Sequence, residues 1–240
     1  VNAHLIESKE ELEDVVEDES FLRDILLVPT QRLLLALGKG NEKVYPGKEN
    51  WLFYSQDVDH LLTPAFLGVQ EDSEKVDPVE GIVHFRDALK EQGIELLILP
   101  VPVKPSMVPG KLSSREYGAT PLRSPDWLPF LEQLKEKGVH VFDPAPLLKA
   151  YGEKTGRPAY LRTDTHWTPG GMEAIAKSTA EFIENVFKVS HGTERFSRTK
   201  KALSNSGDVE AMLKIPPAEK TLQEKVTIHQ VTTAGDEMWQ

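Results

Sequence analysis

The sequence predicts an α/β protein in which a largely parallel sheet is flanked by helices, and three observations carry that prediction. A helix, a glycine and a short apolar strand follow one another between Asp77 and Val101, and the same order repeats between Ser124 and Phe142. Strands buried on both faces read as continuous apolar runs, and strands that alternate with helices belong to parallel sheets covered on both sides. A third helix, opening at Thr168, carries Met172, Ile175, Ala176, Thr179, Phe182, Ile183 and Val186 at the three-and-four spacing of one buried helical face.

Taken in order, Ser8 to Glu17 is strongly acidic, and Phe21, Leu22, Ile25, Leu26, Leu33, Leu34 and Leu37 recur with helical spacing up to Gly38. This is an amino-terminal helical arm over residues 1–40, which Pro29 is expected to kink or divide because a helix-interior proline removes a hydrogen bond and clashes with the preceding turn. Asn41 to Tyr54 alternates turn residues with Val44, Trp51, Leu52 and Phe53, which predicts short strands around Pro46-Gly47. Asp77-Pro78 is an N-cap followed by a first-turn proline, Val79, Ile82, Val83 and Leu89 mark a buried stripe, and Gly93 closes the helix before the strand Ile94 to Val101. Ser124-Pro125 repeats the opening, with Leu128, Leu131 and Leu134 as the stripe, Gly138 as the cap and Val139 to Phe142 as the strand. After Phe187 a polar stretch runs to Asn205, Gly207-Asp208 to Leu213 reads as a short helix, Val226 to Val231 alternates like a strand, and Thr232 to Gln240 has no partner element.

The chain of 240 residues carries 28 Lys and Arg against 38 Asp and Glu, a net charge of −10. That balance argues against a nucleic-acid partner, whose footprint is a basic surface. Arg195, Arg198, Lys200 and Lys201 read first as a solvated loop, and second as a local patch that an anionic polysaccharide could meet. There is no cysteine, which fits an exported protein without disulfides and many cytosolic ones equally. The sequence begins at Val1 and contains no apolar run of the roughly 18 residues that a membrane span needs, so an amino-terminal segment is expected to have been removed.

The residues that carry chemistry are Asp164-Thr-His166-Trp167-Thr168-Pro-Gly-Gly. A carboxylate two positions before a histidine, at the mouth of a helix, is suited to orient an imidazole and stabilise its charged form, so Asp164 and His166 are the candidate general base. The competing reading is that Asp164 and Thr168 cap the helix while His166 packs under Trp167. Within the chain the candidate nucleophiles are Ser106, Ser204 and Ser206, each of which reads more simply as a turn or cap residue, and no G-x-S-x-G elbow is present. Metal binding through Asp164 and His166, with His84, His140, His191 or His229 as a third ligand, has no supporting spacing, so no metal is expected. Pro102-Val-Lys-Pro lacks the glycines of a phosphate loop, and no cofactor is expected. Lys104 and Arg162 are candidates to hold a carboxylate or sugar hydroxyl, and Trp167 to contact the sugar.

Three blocks in this order, Gly47-Lys-Glu-Asn-Trp51-Leu-Phe-Tyr54, Leu97-Ile-Leu-Pro100-Val-Pro102-Val-Lys104-Pro and Asp164-Thr-His166-Trp-Thr-Pro-Gly-Gly, resemble the AlgX/AlgJ family of bacterial polysaccharide O-acetyltransferases. The resemblance covers roughly Asn41 to Leu213. It implies a permuted SGNH hydrolase-like domain over residues 41–240, with Asp164 and His166 matching the family's catalytic pair. It also implies a nucleophilic serine in a Gly-Asp-Ser that follows a further buried strand. No Gly-Asp-Ser follows Asp164 here, so the expectation is a domain truncated at its carboxyl end and a piece with little activity. By the same resemblance the acceptor is an exported, alginate-like polysaccharide. The acetyl groups come from a membrane acyltransferase-type partner, and the location is the periplasm. An acetyl-ester hydrolase, or a non-catalytic glycan-binding module using Trp51, Trp127 and Trp167, is the alternative.

Overall fold

The computed structural model describes residues 21–62, 67, 77–115, 118, 120–190, 192–215 and 223–233. The acidic Ser8–Glu17 segment, His191 and residues 234–240 lie outside them. The described chain is an α/β fold in which short strands are interleaved with helices. It begins with α1 (Phe21–Ala36), β1 (Val44–Pro46), a 3-10 turn and β2 (Leu52–Tyr54), followed by α2 (Ser55–Leu62) and α3 (Pro78–Lys90). β3 (Leu97–Ile98), α4 (Lys104–Met107), α5 (Pro109–Leu112), α6 (Trp127–Glu136) and β4 (His140–Val141) make the middle. α7 (Ala145–Thr155), α8 (Pro169–Phe187), β5 (Phe196–Asn205), α9 (Asp208–Ala211) and β6 (Glu224–Thr233) complete it.

The expected parallel pairing of the two repeated units is present, with Leu97 opposite His140 and Ile98 opposite Val141. It is much narrower than the Ile94–Val101 run promised, because Pro100 and Pro102 have no N–H to continue the ladder and Ile94 and Val101 lie exposed. The other pairs among the described residues, β1 with β2 and β5 with β6, are antiparallel. The basic stretch expected to be a loop is β5, whose ten residues pair in register with β6 from Phe196–Thr233 to Asn205–Glu224. Its main chain finds ladder partners although Phe196 and Leu203 stay exposed, so burial patterning could not reveal it. Thr232 and Thr233, expected to be unpartnered, end this hairpin.

Local sequence explains most helix starts. Asp77 accepts the Val79 N–H at 2.8 Å and Pro78 takes the first turn. Thr168 accepts the Gly171 N–H at 3.2 Å. Ser124 does not open a helix as expected; α6 starts after Asp126, whose carboxylate instead accepts the Leu67 N–H at 2.7 Å. Leu128 is 55% exposed and Phe130 takes its place beside Leu131 and Leu134. α1 runs through Pro29 without division, and of its leucines Leu35 packs on the body of the protein while Leu26 and Leu33 face outward, as does Leu37 just beyond its end.

Three apolar clusters hold the fold. Trp51, Phe53, Met107, Leu148, Tyr160 and Ile175 form the one beneath the Asp164 loop, Val79, Phe130, Leu131, Leu134 and Val141 the one around the parallel pair, and Val44, Leu52, Val209 and Leu213 a third. At about 25 cal/mol per Å² of apolar surface, each fully buried Leu, Phe or Ile contributes roughly 1.5–3 kcal/mol. On α8 only Ile175 of the predicted apolar stripe is fully buried, and Met172 is 46% exposed.

Candidate active site

Residues 159–168 form a closed loop that presents Asp164 and His166 at its tip. Its stem is an antiparallel bridge of Tyr160 and Trp167, with Leu161 N–H donating to the His166 carbonyl at 3.0 Å and Thr168 N–H to the Ala159 carbonyl at 2.8 Å. Tyr160, 1% exposed, roots the stem in the core, receives the Trp167 indole N–H at 2.6 Å and donates to the Pro102 carbonyl. Burial pushes its phenol well above the usual tyrosine range. Gly171 is needed where α8 passes the stem, since a Cβ there would sit 2.8 Å from the Ala159 carbonyl oxygen.

Four surrounding elements pin the loop. The Arg162 carbonyl accepts the Leu52 N–H from β2 at 3.0 Å. The buried Thr163 donates its N–H (2.9 Å) and hydroxyl (3.2 Å) to Glu224 of β6, and its carbonyl accepts the Glu210 N–H of α9 at 3.1 Å. Lys104, 1% exposed, donates from Nζ to the carbonyls of Leu161, Arg162 and Asp164 at 3.1, 3.0 and 2.8 Å, over the faces of Trp51 and Phe53. Burial lowers its pKa to about 8, although the carboxylates of Glu224, Asp208, Asp164 and Asp57 pull the other way.

The Asp164 side chain accepts four hydrogen bonds. Oδ1 takes the His166 N–H at 3.0 Å and the His166 Nδ1 at 2.7 Å, while Oδ2 takes Asn205 Nδ2 at 3.0 Å and the Asp208 N–H at 3.3 Å. Burial alone would raise this carboxyl, but the bonds from Asn205 and from the backbone and ring of His166 outweigh it and hold the carboxyl at about 2. It is therefore ionised at neutral pH. An ionised Asp164 fixes the proton on Nδ1 of the neutral ring, which leaves Nε2 as the acceptor for a substrate proton. The bond to Asp164, opposed by partial desolvation and helped by the charges of Asp164 and Asp208, raises the His166 pKa. The His166 side chain is 77% exposed at the mouth of a cavity of about 600 Å³ lined by Leu161, Trp167, Met172, Leu203, Val226 and Ile228, with Ser204 and His229 at its polar edge.

Asp164, His166 and Asp208 offer ligand atoms within 4.8 Å of one another. The Asp164 carboxylate accepts four internal hydrogen bonds and that of Asp208 one on each oxygen, and Nδ1 carries the proton of one of those to Asp164, which describes an oriented base better than a metal centre.

The structure brings together Asp164, His166 and Trp167 and keeps two predicted ligand contacts away. All three ammonium protons of Lys104 are committed to main-chain carbonyls, so it braces the loop where a sugar contact was expected. Arg162 is likewise not among the residues lining the cavity, and its Nε is buried without a partner. Trp51 is 5% exposed in the core, and Trp127 packs on Phe130 at 5.9 Å. His166 does not pack under Trp167, and Thr168 alone caps α8. Ser106 is buried and donates to the Leu122 carbonyl, while the Ser204 hydroxyl donates to Gln223 at 2.8 Å. Sequence reasoning missed Asn205, Asp208 and Glu224. Their signal was a turn-like Asn-Ser-Gly-Asp and an ordinary acidic strand end, neither of which names Asp164 as a neighbour.

The family described as "SGNH hydrolase-like domain, acetyltransferase AlgX" matches residues 44–238. The chain belongs to this family. Among curated relatives, the probable alginate O-acetylase AlgJ of Pseudomonas fluorescens is 28% identical over 83% of this chain and 50% of its own length. The probable alginate O-acetylase AlgJ of Pseudomonas syringae pv. tomato is 27% identical over 78% and 45%. The chain thus spans about half the length of the curated relatives it matches. The solved O-acetyltransferase domain of Pseudomonas putida AlgJ superimposes with a TM-score of 0.59 at 21% identity, covering 80% of this chain and 66% of that one, which supports the SGNH hydrolase-like fold. Among the described residues of this AlgX-family domain, no helix is long and apolar enough to cross a membrane.

Proposed function

We propose that this protein is an O-acetyltransferase that moves acetyl groups onto hydroxyls of an exported, alginate-like polysaccharide, with Asp164 and His166 as its base. The observation that carries this reading is the 2.7 Å bond from the His166 ring to an ionised, four-bonded Asp164, on a pinned loop at a cavity mouth. Relatives named as probable alginate O-acetylases match 78% and 83% of this chain, and the solved O-acetyltransferase domain of Pseudomonas putida AlgJ has a similar fold. Among the described residues no serine hydroxyl hydrogen-bonds to the His166 ring, and the nucleophile of this reading is a serine in a Gly-Asp-Ser that the 240 residues do not contain.

The chemistry divides into two half-reactions. His166 Nε2 takes the serine proton as the hydroxyl attacks the acetyl carbonyl of the donor, the imidazolium is balanced by Asp164, and the proton leaves with the donor's departing group. In the second half, Nε2 takes the proton of a sugar hydroxyl as that oxygen attacks the acetyl-serine, and returns it to the serine. Water in place of the sugar gives hydrolysis by the same steps. The cavity wall beside His166 is largely apolar, and Trp167 offers an aromatic face to a sugar ring. A periplasmic location, a membrane acyltransferase-type partner and residues 41–240 as the acetyltransferase domain belong to the same proposal.

The test is turnover of an acetyl ester, and acetyl transfer to oligomannuronate followed by mass spectrometry, in the full-length protein and its His166→Ala variant. A loss of at least about a hundredfold, with unchanged folding, is expected from removing a general base. Unaltered turnover would remove His166 from the mechanism. Glycan affinity without turnover in either protein would make the binding module the better account.

A further inference from the structure

The His166 ring has little packing to hold it, being 77% exposed, so its orientation depends on what meets its Nδ1 edge. Two carboxylates and a hydroxyl do: Asp164 Oδ1 at 2.7 Å, Thr165 Oγ1 at 3.4 Å and Asp208 Oδ2 at 3.5 Å. Asp208 lies 44 residues further along the chain, at the first position of α9. It accepts the Thr165 N–H at 2.7 Å on one oxygen and the Thr165 hydroxyl on the other, while its own N–H donates to Asp164 Oδ2 at 3.3 Å. Gly207 makes this approach possible: its φ is +61°, and a Cβ there would stand 2.1 Å from the Thr163 carbonyl oxygen.

We propose that Asp208 is a positioning residue for the Asp164–His166 base, anchoring Thr165 between its two partners and giving the imidazole a second counter-charge. This deepens the acetyltransfer reading and rests on it for its catalytic meaning. Attraction falls only as the inverse of distance, so at equal screening Asp208 acts on Nδ1 with about three-quarters of the strength of Asp164. Its greater exposure, 36% against 11% for Asp164, reduces that share. The other charged groups around the ring are Lys104 on α4 behind the Asp164 carbonyl, Glu224 on β6 beneath Thr163, and His229 on β6 at the cavity edge. Asp208, unlike these, bonds both to Thr165, which lies between Asp164 and His166 in sequence, and to the far oxygen of Asp164.

The experiment is an NMR titration of the 240-residue chain. In Asp208→Asn, whose carbonyl oxygen still accepts from the Thr165 N–H, the His166 ring is expected to titrate at lower pH than in the wild type, with Asp164→Asn as the larger reference shift. In the wild type, the Asp208 side-chain carboxyl carbon is expected to show an inflection at the His166 midpoint, a reading that needs no variant to fold. An unmoved His166 midpoint in a folded Asp208→Asn protein, or a flat Asp208 carbon through the wild-type midpoint, would overturn the proposal. Neither readout depends on turnover, so failure here is separate from failure of His166→Ala to abolish acetyl transfer.

Discussion

Replacing Lys104 with methionine tests whether a buried cation braces the candidate catalytic loop. Methionine has a similar length and keeps most of the packing against Trp51 and Phe53, but it supplies no donor for the carbonyls of Leu161, Arg162 and Asp164. Three charge-assisted hydrogen bonds at roughly 1.5–3 kcal/mol each are lost. Against this, the depression of the Lys104 pKa from 10.5 to about 8 indicates that the charged form stays disfavoured by about 3 kcal/mol after the neighbouring carboxylates have offset part of the burial, a net cost that methionine avoids. The net expectation is a loss of about 3 kcal/mol at neutral pH, read as a fall in the urea midpoint on the order of 1 M. The pH dependence supplies a second reading. Because the folded pKa is lowered, the unfolded chain binds more protons between about 8 and the ordinary lysine value. Wild-type stability therefore gains from this group as pH rises through that window. The gap between wild type and Lys104→Met should widen there by up to about 3 kcal/mol. A variant as stable as the wild type at pH 7 would refute the bracing role, and a gap that stays constant with pH would show that the Lys104 pKa is not lowered in the folded protein.

Two further substitutions address the contacts that the end of β5 and the start of α9 make with the Asp164 loop. Gly207→Ala places a side chain at φ +61° and 2.1 Å from the Thr163 carbonyl oxygen, so α9 must withdraw. A fall in melting temperature of about 5 °C or more is expected, and an unchanged melting temperature would show that the close approach is dispensable. Asn205→Leu removes the Nδ2 donor from Asp164 Oδ2, so the carboxyl rises from about 2. Since a depressed folded pKa confers stability above the unfolded value that is lost as pH falls through the folded one, acid unfolding should begin at higher pH in the variant. Coincident acid-unfolding curves for the two proteins would argue that Asn205 does not set the state of Asp164.

The helices were legible because their punctuation is local. Asp77-Pro78 and Thr168-Pro169 satisfy orphan N–H groups with residues only two or three positions away, and those caps form as read. The strands were less legible for two different reasons. The apolar run Ile94 to Val101 carried the pattern of a buried strand, but its prolines and a single partner strand limit pairing to two residues. The basic run containing Arg198, Lys200 and Lys201 carried no apolar alternation, yet it forms a ten-residue strand because its ladder partner is β6 rather than a core. The hairpin is joined to the body partly through Glu173, which meets Arg198 at 2.9 Å and His229, a contact that no local window contains.

By itself the sequence determined the candidate base: Asp164 and His166 are two residues apart, and a carboxylate in that position reaches Nδ1 through the loop's own geometry. It also determined the α/β class and the rigid helix that begins at Thr168. Only the tertiary structure decided what surrounds the pair. Lys104 arrives from 60 residues upstream of Asp164, and Asn205 and Asp208 from 41 and 44 residues downstream. A lysine, an asparagine and an aspartate are by default exposed residues whose composition carries no address. Their meaning comes from which buried carbonyl or carboxylate the fold sets opposite them, where an unmet hydrogen bond costs far more than it would in water.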